Sequence, residues 1–61
     1  MDNTLKAEID EARRELAQWQ AMYDEAIDEP TVDYTMRRLG ASQMKLDALY
    51  ARAKQLMAVT A

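Results

Sequence analysis

Three pairs of neighbouring carboxylates, Asp10–Glu11, Asp24–Glu25 and Asp28–Glu29, are the material this chain offers for general acid–base chemistry. Such chemistry needs two carboxyl groups whose surroundings push their proton affinities apart. Adjacent residues of a helix point about 100° from one another, so no pair faces itself, and nothing nearby in sequence would hold one member protonated. Calcium ligation by Asp24, Glu25, Asp28 and Glu29 lacks the spacing of a calcium-binding loop. The chain has no His and no Cys, which removes the histidine base, the thiolate nucleophile, the zinc finger and the disulfide framework. The expectation is a protein without catalytic, cofactor-binding or metal-binding residues, and not an enzyme.

Cations and aromatics are the next candidates. Arg37 and Arg38, helped by Lys45, Arg52 and Lys54, would have to carry any contact with nucleic acid. They sit in a chain of net charge −3, and an acidic body repels a phosphate backbone. Pairing of these arginines with Asp24 and Glu25 is the favoured reading, and contact with DNA stays open where an assembled ring presents the basic half alone. Of the four aromatic residues, Trp19, Tyr23 and Tyr50 fall on the apolar seam described next, whereas Tyr34 lies off it and is expected to be accessible.

The elements that must position these groups are helical. The apolar share of 49% is spent on Ala, Leu and Met, with one Gly, one Pro and no Phe, a composition of helix formers. Leu5, Ile9, Ala12, Leu16, Trp19, Tyr23 and Ala26 step by fours and threes without a break, the stripe of an amphipathic helix. Asn3 or Thr4 can cap it, Asp10 and Arg14 stand one turn apart on its polar side, and Pro30 disfavours helical geometry at Glu29. The spacing predicts a helix over about 4–28. A second stripe, Met36, Leu39, Gln43, Leu46, Tyr50, Ala53 and Met57, predicts a helix running to about 59.

Reversal near Pro30 gives an antiparallel register in which paired positions add to about 62: Ile9 on Ala53, Ala12 on Tyr50, Leu16 on Leu46, Trp19 on Gln43, Ala26 on Met36. Large side chains then meet small ones. The same register sets Glu8 near Lys54, Asp10 near Arg52, and Asp24 and Glu25 near Arg38 and Arg37. The expected core is therefore Leu5, Ile9, Leu16, Trp19, Tyr23, Leu39, Leu46, Tyr50 and Met57, in an all-α, coiled-coil-like two-helix hairpin spanning residues 1–61 as one small domain.

The connector is open to two readings. Residues 31–37 alternate polar and apolar, with β-branched and aromatic members, and so also fit a short strand. Either Asp33 caps one helix over 34–59 that tolerates Gly40, with a connector at about 29–33, or the connector covers about 29–41, extended or hairpin-like at 31–39, and Ser42 caps a helix over 42–59. An isolated two-stranded ribbon is marginal without a helix over it, which favours the helical version.

Charge divides unevenly. Residues 1–30 hold nine acids and three bases, residues 31–61 two acids and five bases, so the halves attract when the chain folds back. Beyond the seam, Met22, Ile27, Leu49, Leu56 and Val59 form an apolar flank that one seam cannot bury. With Tyr34, Arg37 and Arg38 they are the candidate partner interface. The first residues, Met1 to Lys6, lack a basic start and apolar run, and no stretch reaches membrane-spanning length; the expectation is a cytoplasmic chain, or one carried by a soluble assembly.

The runs Leu16-Ala17-Gln18-Trp19-Gln20-Ala21, Ala26-Ile27, Tyr34-Thr35-Met36 and Arg38-Leu39, with Met44, resemble the short head-completion proteins of tailed phages grouped with the lambda W head-to-tail joining protein. The resemblance covers about residues 12–57. Here Met36 is followed directly by Arg37-Arg38, and Gly40-Ala41-Ser42 precedes the last amphipathic stretch, which leaves the small β-hairpin of that fold open. The resemblance implies a non-enzymatic virion component, assembled in the host cytoplasm, that forms a homo-oligomeric ring between the portal and a tail adaptor. The competing expectation is a small regulatory or adaptor module that offers one helix to a groove on a protein partner.

Overall fold

The computed structural model describes residues 3–60, and within them the chain is two antiparallel helices, α1 (Asn3–Glu25) and α2 (Glu29–Thr60), joined by residues 26–28. The molecule is a rod of 48 × 15 × 12 Å, its long axis set by the 32 residues of α2 at about 1.5 Å each. Met1, Asp2 and Ala61 lie outside the described residues.

Neither expected connector forms. The backbone leaves the helix after Glu25, three residues before the expected end, with the Ala26 amide donating to the Tyr23 carbonyl at 3.2 Å. Asp28, rather than Asp33 or Ser42, caps α2. Its Oδ2 accepts from the Thr31 amide at 3.0 Å and the Thr31 hydroxyl at 2.8 Å, while its carbonyl accepts from the Val32 amide at 3.0 Å. Pro30 then falls in the first turn, where a helix has no use for its missing N–H. Residues 31–39, open to a strand reading by their alternation, are helical throughout. The side chain of Thr35 turns back on its own helix and donates to the carbonyls of Thr31 and Val32 at 2.8 and 3.2 Å, so a polar residue is buried with its hydroxyl satisfied. Gly40 sits inside the continuous helix without a positive φ angle.

The α1 stripe packs as its spacing predicts: Leu5, Ile9 and Ala12 are buried, and Leu16, Trp19, Tyr23 and Ala26 are half-buried. On α2 the seam differs by one residue in every second position. Leu39, Leu46 and Ala53 face α1, but the residues between them are Thr35, Ser42 and Leu49, not Met36, Gln43, Tyr50 and Met57. Tyr50, expected in the core, is 41% exposed and Met57, expected beside it, 62% exposed; Leu49, expected on the flank, packs against the core cluster of Leu5, Ile9, Ala12, Leu46 and Ala53. The reason is size. Trp19 lines a recess together with Ala41 and Ser42, and small residues on α2 let the helix approach where α1 carries its bulkiest side chain.

Candidate docking surface

Rotation of α2 sorts its side chains into two flanks of different chemistry. On one flank, Arg38, Lys45 and Arg52 recur every seven residues and run beside Glu8 and Glu15 of α1. Lys45 reaches Glu15 at 3.4 Å and Arg52 reaches Glu8 at 3.9 Å; both pairs add to 60, close to the expected register. Arg52 thus takes Glu8 in place of Asp10. Exposed pairs of this kind contribute about 0.2–1 kcal/mol each.

Where this row would next need an acid, α1 offers Met22, and Arg38 turns to the aromatics. Its guanidinium carbon lies 5.7 Å from the Trp19 ring centroid and 5.5 Å from that of Tyr34, and the two rings meet edge to face at 5.8 Å and 74°. A cation between two π faces is stabilised by both quadrupoles. Arg38 therefore stacks on rings, in place of the expected approach to Asp24 and Glu25, and three of the cations that would serve a phosphate backbone are engaged within the molecule.

The opposite flank is apolar. Met36, Gln43, Tyr50 and Met57 follow one another along α2 and are all exposed. Tyr50 and Met57 border a shallow groove of about 540 Å³ with Ile9 and Ala53 at its floor and Lys6, Asp10, Arg13 and Lys54 around it. Two further apolar areas lie elsewhere on the rod. At the connector end are Met22, Tyr34 and Ile27, the last 96% exposed; at the open end are Leu56 and Val59. Of the residues marked out as an interface, Met22, Ile27, Tyr34, Arg37, Arg38, Leu56 and Val59 are on the surface, and Leu49 is not among them. Sequence reasoning missed the Met36–Met57 row by assigning it to the seam, with Tyr50 and Met57 in the core. The seven-residue recurrence of Arg38, Lys45 and Arg52, matched by that of Glu8 and Glu15, is the signal that would have set the phase.

One member of each carboxylate pair is engaged by a neighbour three or four residues away. Glu11 pairs with Arg14 at 3.0 Å, and Asp24 accepts from Gln20 at 2.9 Å. The Asp28 carboxyl is held below the ordinary aspartate value by the Thr31 hydroxyl and then the Thr31 amide, the opposite of what a general acid needs. Among the described residues, no cluster of His, Cys, Asp or Glu is arranged to hold a metal ion, and no helix is long and apolar enough to cross a membrane. No family model, no curated protein and no solved structure matches the chain.

Proposed function

We propose that this chain is a non-enzymatic helical connector piece, held by protein neighbours on several sides, and that the assembly it serves is the ring between portal and tail of a tailed phage. The observation that carries this reading is that its exposed apolar side chains, Met44 apart, fall in three separate areas: the Met36–Met57 row, the Ile27 end and the Val59 end. A module that offers one helix to one groove needs one such area. A ring subunit needs more, because it touches a neighbour on each side and the structure above or below. The likeness of residues 12–57 to head-completion proteins supplies the particular assembly.

The test is the mass of the purified chain with portal protein, measured by light scattering. A closed many-copy ring on the portal is the expected result, lost in Ile27→Asp while helicity is retained. A complex of one or two copies with some other protein, and none with portal, replaces the connector with the adaptor reading.

A further inference from the structure

The exposed side of α2 carries a second stripe that again steps by threes and fours, from Gln43 through Asp47, Tyr50 and Lys54 to Met57, with Met36 one heptad before it. A helix with two such stripes is built to pack against two neighbours, and α1 covers only the first. We propose that the second neighbour is α2 of another copy of this chain, laid antiparallel across the first about a two-fold axis at Tyr50, so that two hairpins close into a four-helix bundle.

Charge selects this occupant. Asp47 stands three residues before Tyr50 and Lys54 four residues after it. A two-fold axis at Tyr50 therefore sets Asp47 of each copy against Lys54 of the other, two opposite-charge pairs from one self-complementary surface. Gln43 comes against Met57 in the same register, and the Tyr50 rings meet at the centre, where aromatic anchors carry most of an interface's energy. Area agrees. A compact monomer of 7.0 kDa exposes about 4,000 Å², whereas this rod exposes 4866 Å². The surplus of about 800 Å² comes with the elongated 48 × 15 × 12 Å shape and leaves room for each partner's share of a standard interface.

This pairing takes up the Met36–Met57 row, one of the three areas on which the connector reading rests, but it needs no portal, so its test on the pure chain is separate from that of the connector. Sedimentation of the pure chain across a concentration range is expected to show a dimer that dissociates on dilution. Tyr50→Glu, at an exposed position, is expected to keep its helical circular dichroism and sediment as a monomer. Asp47→Lys and Lys54→Asp each place like charges together and are expected to weaken association about tenfold or more. An equimolar mixture of those two variants brings opposite charges together again and is expected to restore it. A wild type that stays monomeric, a dimer indifferent to Tyr50→Glu, or a mixture no tighter than either variant alone overturns the proposal.

Discussion

Toward the open end of the hairpin, Leu5, Ile9 and Ala12 meet Leu46, Leu49 and Ala53, and the buried cluster is wholly apolar. Leu16, half-buried, still packs on that cluster; farther toward the connector the same heptad spacing sets Trp19 and Tyr23 in the half with Thr35, Leu39 and Ser42, and these α1 side chains are only half-buried. The open half is held by exclusion of water from small and medium aliphatic groups. The connector half relies on directional contacts: the Asp28 cap, the Thr35 back-bond and the stack of Arg38 on two rings. One repeat can thus serve two kinds of packing, and spacing alone does not say which half carries the stability.

Truncation at the two ends should separate them. Leu46→Ala opens a cavity in the closed apolar cluster and should cost about 2–5 kcal/mol, a large share of the roughly 3–9 kcal/mol that a chain of this length holds. Trp19→Ala removes a larger but only partly buried side chain and should cost less, about 1.5–3 kcal/mol. Urea unfolding of both variants decides the matter; a greater loss at Trp19 would reverse the ranking of the halves.

Smaller effects probe the connector half from the other direction. Ser42 is buried to 7% exposure and its Oγ has no hydrogen-bond partner, so Ser42→Ala should raise stability by about 1 kcal/mol. At Gly40 an added Cβ would meet nothing within 4 Å, and Gly40→Ala should stabilise by about 0.5–1 kcal/mol. A loss in either variant, measured by thermal melting, would show that these positions answer to something other than helix and seam.

The smallest effect is the pH response of the cap. Because hydrogen bonds from Thr31 favour the charged form of Asp28, its folded-state pKa lies below the ordinary value of 3.8. Its contribution is therefore complete above that value and is lost as pH falls through the folded-state pKa. Asp28→Asn, which caps without titrating, should remove this part of the acid-induced fall in melting temperature. An unchanged pH profile in the variant would mean that other carboxylates carry the whole response.

Much of the architecture was legible in the residues. The α1 stripe is right from Leu5 to Tyr23, because α1 has one apolar face and no rival, while Ala26 is half-buried but lies past the end of the helix. The register is right to within two positions, since large side chains facing small ones, and acids facing bases, allow few alignments. The connector was misread because Asp28 reads equally as part of an acidic run and as a cap; only its bonds to Thr31 tell the difference. The surface suffered most. Exchanging Thr35, Ser42 and Leu49 for Met36, Gln43 and Tyr50 leaves the threes and fours intact, yet it turns one flank into core and core into flank.

By itself the sequence determined two helices, the buried face of α1 and the antiparallel register, because each follows from local periodicity and a single reversal. Only the tertiary structure decided the phase of α2. Two stripes share Leu39, Leu46 and Ala53 and are equally periodic, and the more apolar of the two is the one left outside. Close approach to Trp19 favours the small Ser42, and the two cross-helix ion pairs, Lys45–Glu15 and Arg52–Glu8, accompany the phase that buries Thr35 and Ser42. Fit between the helices, a property of neither stripe alone, therefore placed Tyr50 on the surface where a second copy can reach it.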